Sequence, residues 1–376
     1  MRAVTAQSDD REHSTEMIKP AATRRAFLAT SATAATTLAA PHVARAQTPI
    51  VWRMATSWTK ALPGPGVSAD RLAERINTMS GGRMRIDVFP AGAIVPAFGV
   101  LDGVSSGAVE MGHTASFFWD GALPGAAFFT TAPFGLGPLA HQTWIEQRGG
   151  QQLWDELYRP RGVRGLLAGN TGPSMGGWFR KPIESVKDIA GLRIRVAGMG
   201  GEVYAAMGAT PQNIPPGDIY SSLEKGAIDA VEILAPVNDL PLGLHRIAPY
   251  YYMPGFNKPN GAGEALISLA AFAKLPTDLQ RIIENACAAE HSAGLAEAEQ
   301  MNAKAIVELA SLGAKVTPFP PDFVKEAREK AAVVIDNKSK AGPIAAKIVA
   351  SYRDALGAGG AWSRVEAYME QALRAQ

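Results

Sequence analysis

Residues 50–89 carry the pattern that most restricts how this chain can fold. The run Ile50-Val51-Trp52-Arg53-Met54-Ala55 reads as a strand, residues 66–79 set Val67, Leu72 and Ile76 at helical spacing, Gly81-Gly82 stops that helix, and residues 83–89 alternate with period two. A strand, a helix and a strand in so short a stretch form a βαβ crossover, the unit from which largely parallel sheets are built. The grammar returns later. Residues 165–169 are strand-like, 192–196 alternate, 201–207 begin a helix ended by Gly208, and 220–226 form a short helix leading to a strand at 230–234. The expected fold class is therefore α/β, with one block on either side of about residue 170 and no internal repeat. With 376 residues, 47% hydrophobic and 19% charged, the chain is long enough to bury two cores.

The second half changes character. Residues 276–312 are helical without interruption, with Gly294 as the one weak point, and a helix that long can run along both blocks as a spine. Further helices are expected at 322–339, 344–356 and 361–375. The last carries Trp362, Val365, Tyr368, Met369 and Leu373 on roughly one face, a stripe that needs cover either from its own subunit or from a second chain.

The first 46 residues read as a targeting segment. Thr23-Arg24-Arg25-Ala26-Phe27-Leu28 precedes an Ala/Thr-rich run and then Ala44-Arg45-Ala46, the form of a twin-arginine export signal with a small-x-small cleavage site. Its removal takes away six basic and four acidic residues and leaves 31 of each sign, a balance that argues against nucleic acid or an anionic membrane as partner. No later stretch reaches the length of a membrane span. The single cysteine, Cys287, sits in an apolar helical setting, so no intrachain disulfide can form and an inert buried thiol is expected. The histidines at 13, 42, 113, 141, 245 and 291 show no ligand spacing and read as capping or core residues.

Two motifs point towards enzymes. Gly172-Pro173-Ser174-Met175-Gly176 matches the G-x-S-x-G nucleophile elbow, which would make the chain an exported serine hydrolase using Ser174. A working elbow needs a helix at once, and Pro182 a few residues on opposes one. Gly64-Pro65-Gly66 and Gly198-Met199-Gly200-Gly201 approach a dinucleotide fingerprint of an oxidoreductase, but the first lies well past its strand and the second has Val203 where glycine is required.

A wider constellation carries the reading. Ala55-Thr56-Ser57-Trp58, residues 107–112 ahead of Phe117-Phe118-Trp119, Gly176-Gly177-Trp178-Phe179-Arg180, Gly191-Leu192-Arg193-Ile194-Arg195-Val196, Gly217-Asp218-Ile219-Tyr220, Leu223-Glu224-Lys225-Gly226 and Asp229-Ala230-Val231-Glu232 occur in an order and spacing that resembles the DctP-type solute-binding subunits of TRAP (tripartite ATP-independent periplasmic) transporters. The likeness covers nearly all of the chain after residue 46. Ala248-Pro249-Tyr250-Tyr251-Tyr252 and the helical tail bring it nearest the branch that binds 2-oxo acids or lactate.

The resemblance implies a periplasmic, non-catalytic, two-lobed clamp with a long spanning helix and a helical C-terminal tail. Lobe I would comprise 47–170 plus about 261–300, lobe II 171–260 plus about 301–330, and the tail, 331–376, would exchange between subunits of a homodimer. The ligand would be a small organic carboxylate, first a 2-oxo or 2-hydroxy acid, passed on to TRAP membrane permease subunits; aromatic carboxylates, sulfonates and longer keto acids remain open. By motif position Arg195 would hold the carboxylate, since a guanidinium offers two parallel N–H bonds to a planar anion, although Arg193 shares its strand face. Asn170 would reach the ligand with its amide, and Trp58, Phe117 and Phe118 would form an aromatic wall. Glu232 and the backbone carbonyl of Ile233 would hold a sodium or calcium ion bridging to the ligand. Two positions depart from that pattern: Ser174 stands where the branch has a third, glutamine ligand, and Lys258 where it has an acidic residue. The departures raise the expectation that Lys258 supplies the cation's charge, or pairs with a second anionic group on a larger substrate.

Overall fold

The computed structural model describes residues 48–374, so the expected export signal at 1–46 lies outside the described residues. The elements that matter are β1 (Ile50–Thr56), α1 (Pro65–Met79), β2 (Met84–Phe89), β3 (Met111–Thr114), α2 (Pro138–Gln147), α3 (Gly150–Tyr158), β4 (Val163–Asn170), β5 (Gly177–Phe179), β6 (Arg193–Arg195), α4 (Met199–Ala206), β7 (Thr210–Gln212), β8 (Ala230–Val231), β9 (Tyr250–Met253), β10 (Ala262–Ser268), α5 (Thr277–Ser311), β11 (Lys315–Pro318), α6 (Pro321–Ser339) and α7 (Pro343–Arg374).

The βαβ unit forms as the sequence predicts. β1 pairs in parallel with β2, Ile50 opposite Met84 through Ala55 opposite Phe89, and α1 buries Leu72 and Ile76 against the sheet. Pro65 can open α1 because a helix's first N–H has no partner to lose. The strands make two sheets, ordered β2-β1-β3-β10-β4 and β11-β9-β5-β8-β6-β7.

Both sheets are largely parallel, as the sequence predicts, and each carries one strand that runs against all the others. β10 runs antiparallel to both β3 and β4, and β5 antiparallel to both β8 and β9. The reason is connectivity. β5 enters the second sheet directly from β4, and β10 returns to the first from β9, so these strands arrive from another sheet and the same-sheet crossover rule does not set their direction.

α5 is a single 35-residue helix. Leu279, Ile283, Ala286 and Cys287 pack into the core beneath the first sheet, and Leu309 into the core beneath the second, so the spine reading holds. Its weak point has a packing reason. A Cβ on Gly294 would lie 3.0 Å from the Asn170 backbone nitrogen and 3.3 Å from its oxygen, so glycine lets α5 lie this close to the end of β4 without displacing it. Burial pushes the Cys287 thiol up to about 12, which makes it inert, as expected.

The C-terminus differs from expectation. In place of two helices, α7 runs unbroken from Pro343 to Arg374 through Gly357, Gly359 and Gly360. None of those glycines takes the left-handed conformation that ends a helix, so they weaken the helix without stopping it. Its first half is buried: Ile348, Val349 and Tyr352 pack with Phe128 and Trp144, and the Tyr352 hydroxyl accepts the Leu136 N–H at 2.8 Å. Its second half is bare. Trp362 is 60% exposed, Tyr368 72% and Leu373 77%, so the described residues do not cover the stripe.

Candidate functional site

β4, β6 and β8 end close together, and ligands of open α/β sheets bind outside such carboxyl ends. Here the strand ends border a cavity of about 220 Å³. Asn170 is the last residue of β4, Arg195 the last of β6, and Ile233 follows β8 by two residues; all three line the cavity with Trp58, Phe117, Phe118 and Lys258. Seven of the nine site residues expected from the sequence are thus brought together. Glu232 lies one layer behind Lys258, and Ser174 stands aside from the cavity wall.

The two arginines of β6 separate cleanly. Arg193 is exposed and paired with Asp229, Nη2 to Oδ1 at 2.6 Å and Nε to Oδ2 at 2.8 Å. Arg195 is buried, and two carbonyls fix its guanidinium: Nε donates to Ile214 at 3.0 Å and Nη1 to Glu232 at 2.7 Å. A guanidinium carries five N–H donors, so the rest stay free for a ligand. Burial lowers the Arg195 pKa, with the Glu232 and Asp239 charges opposing that shift. Asn170 is tied at both ends of its amide, donating to Asn260 Oδ1 at 2.9 Å and accepting the Gly172 N–H at 2.8 Å. Its role in the site is therefore to hold a shape as well as to face the cavity.

Lys258 is 2% exposed. Its ammonium lies 2.9 Å from Glu232 Oε1, donates to the Ile233 carbonyl, and sits 5.5 Å from the centre of the Phe117 ring. Burial is the largest influence on its pKa and lowers it; Glu232 pulls the other way and the nearby Arg195 charge adds to the lowering. Asn257 donates to the second Glu232 oxygen at 3.3 Å. Gly200 makes room for this contact, because a Cβ there would overlap the Asn257 side chain; the apparent dinucleotide fingerprint is a packing device. Farther back, Asp239 accepts from Trp178 Nε1 at 2.9 Å and the Tyr251 hydroxyl at 2.8 Å, and burial pushes it up to about 6. No carboxylate lines the cavity.

The aromatic wall has a support that the sequence did not reveal. Trp58 donates its indole N–H to His113 Nδ1 at 2.9 Å, so the proton is on Nε2, which faces the Ala168 carbonyl at 2.9 Å. Burial pushes His113 down to about 4 and keeps it neutral. His113 is a core residue, one of the two roles the sequence predicts for it, but it also lines the cavity, as do Tyr220 and Asn238. The Asn238 amide donates to the Pro63 carbonyl at 2.7 Å. No local motif marks His113 or Asn238, and the motif that contains Tyr220 does not single it out, because the long-range fold brings all three to the cavity.

Two expectations meet the structure here. The Ser174 elbow is followed by strand β5 rather than a helix; its backbone N–H donates to the Lys258 carbonyl at 2.9 Å, and its Oγ makes no hydrogen bond to His245 or His291. As to the metal, the expected ligands Glu232 and Ile233 already hold an ammonium, and no group of three or more His, Cys, Asp or Glu that could hold a metal ion occurs among the described residues. An ammonium therefore stands on the two groups expected to hold the ion.

Comparison with known proteins agrees with this geometry. The family model of DctP, bacterial extracellular solute-binding protein family 7, matches residues 59–341. The monocarboxylate 2-oxoacid-binding periplasmic protein of Nostoc sp. is 38% identical over 314 residues, 81% of this chain and 86% of that one. A TRAP transporter solute-binding protein from Bordetella bronchiseptica, solved as a mixed-occupancy dimer with calcium and picolinate in an active site, superposes with a TM-score of 0.84 at 36% identity, covering 87% of this chain and 99% of that one. One from Pseudoalteromonas atlantica, with bound sodium and pyruvate, gives 0.83 at 34% identity, covering 86% and 99%. A cavity at the strand ends with a buried arginine, together with likeness over most of its length, means that the chain belongs to the DctP family of bacterial extracellular solute-binding proteins.

Proposed function

We propose that this chain captures a small 2-oxo or 2-hydroxy monocarboxylate in the periplasm and passes it to the membrane subunits of a TRAP transporter. Members of a solute-binding family are receptors, so the ligand leaves unchanged. The observation that carries the reading is Arg195, a buried guanidinium with free donors in a cavity whose other walls are mainly apolar and carry no acid. An ionised carboxylate gives that cation its missing partner, and the low-dielectric surroundings strengthen the pairing. The cavity is small beside the few hundred Å³ of a drug-sized pocket, which favours short acids. Likeness to proteins solved with pyruvate or picolinate supports the same class.

The finer parts of the reading follow. Residues 1–46 act as a twin-arginine signal, and the two sheets serve as the lobes that close over the ligand, lobe I from 47–170 with about 261–300 and lobe II from 171–260 with about 301–330. The bare stripe of α7 joins two copies in a homodimer, a reading supported by the dimeric Bordetella relative.

Titration calorimetry with pyruvate tests the central claim. Arg195→Met should weaken binding about ten- to a hundredfold, the worth of a charge-assisted hydrogen-bond pair. Arg193→Ala should leave it unchanged. Full affinity in a correctly folded Arg195→Met protein would overturn the reading.

A further inference from the structure

The relatives described above hold calcium or sodium beside their ligands. In this chain the pair of groups that the resemblance assigns to an ion has a covalently attached tenant. Lys258 Nζ bridges the Glu232 carboxylate, at 2.9 Å, and the Ile233 carbonyl, the two groups that the resemblance assigns to the ion. The other Glu232 oxygen is taken by Asn257. The lysine is also fixed from its backbone, its N–H donating to the Gly255 carbonyl at 3.0 Å and its carbonyl accepting from Ser174 at 2.9 Å. Ser174 is the residue that replaces the expected third ligand, so both departures from the family pattern converge on one side chain.

Charge leads to the same place. Arg195 and Lys258 are both cationic, both buried and both on the cavity wall, whereas Glu232 is, among the described residues, the one carboxylate in direct contact with either side chain. A free cation entering the cavity would meet two fixed positive charges, with the Glu232 carboxylate already paired to one of them, an arrangement that repels it at low dielectric. A monocarboxylate anion instead neutralises the surplus positive charge. An ammonium has three N–H donors. One goes to the Ile233 carbonyl while the ammonium keeps ion-pair contact with Glu232, which leaves an N–H for a ligand oxygen.

We infer that Lys258 takes over the ion's task in this protein, bridging the Glu232–Ile233 seat to the oxygen beside the ligand's carboxylate, so that acid capture needs no metal. The inference rests on the carboxylate reading above, and the experiment separates the two. Pyruvate and 4-methyl-2-oxopentanoate are titrated into the full mature protein, first in chelator with choline as the only added cation, then with calcium or sodium. The expected result is binding of at least one acid with the same affinity, within about twofold, in every condition. Lys258→Met should weaken it at least tenfold in chelator. Should that variant not fold, the double variant Glu232→Gln/Lys258→Met removes both charges together, leaves no unpaired buried carboxylate, and should show the same loss. Wild-type affinity that falls tenfold or more without calcium or sodium would overturn the inference while leaving carboxylate capture standing, and so would full affinity in a folded lysine variant. Absence of binding in every condition would take down the carboxylate reading and this inference with it.

Discussion

Arg193 and Arg195 show what two positions on one strand face can and cannot reveal. Period two puts both on the same side of β6, but the first sits at the outer end against Asp229 and the second at the inner end among carbonyls, a difference set by strands and loops far away in sequence. Glu264 on β10 poses a similar problem. Its carboxyl is fully buried near Tyr158 and Trp154, and burial pushes it up to about 8 from an ordinary 4.5. The native state therefore keeps a proton that the unfolded chain gives up, so this group's contribution to stability falls as pH rises from about 4.5 to about 8 and stays low above that. Glu264→Gln should raise the melting temperature by an amount that grows between pH 5 and pH 8 in thermal melts. A difference independent of pH would count against a protonated Glu264.

At the scale of elements, α5 is decisive because one helix contributes to both cores and presses on the end of β4. Gly294→Val would force a branched side chain against the Asn170 backbone, where even a bare Cβ is tight. The expected cost is about 1–3 kcal/mol in urea unfolding, the usual size of overpacking, together with weaker pyruvate binding because Asn170 moves. Wild-type stability and affinity would show that α5 can back away freely. α7 gives the opposite lesson. Its glycines look like a break in the sequence, yet a helix ends only where the backbone turns left-handed or loses its partners, and here it does neither.

For the whole molecule, the bare half of α7 is the surface most in need of a partner. Five large apolar side chains, Trp362, Val365, Tyr368, Met369 and Leu373, face outward on one stripe, more than a monomer normally leaves open. Trp362→Glu/Tyr368→Glu should convert a dimer to a monomer in light scattering at micromolar concentration, with the fold of the first half of α7 preserved. A monomeric mass for the wild-type chain would remove the dimer proposal.

Much of this was open to reading from the residues alone. The βαβ unit, the long helix, the amphipathic tail and the inert cysteine follow from local periodicity and burial preference, which need no knowledge of distant contacts. The family constellation added Arg195, Asn170, Lys258 and the aromatic side chains on the cavity wall. What only the tertiary structure decided was where separate segments meet: the antiparallel courses of β5 and β10, His113 behind Trp58, and the ammonium of Lys258 seated on Glu232 and Ile233. Those outcomes depend on how residues 25 or more positions apart pack against one another, and local sequence pattern carries no record of such distances.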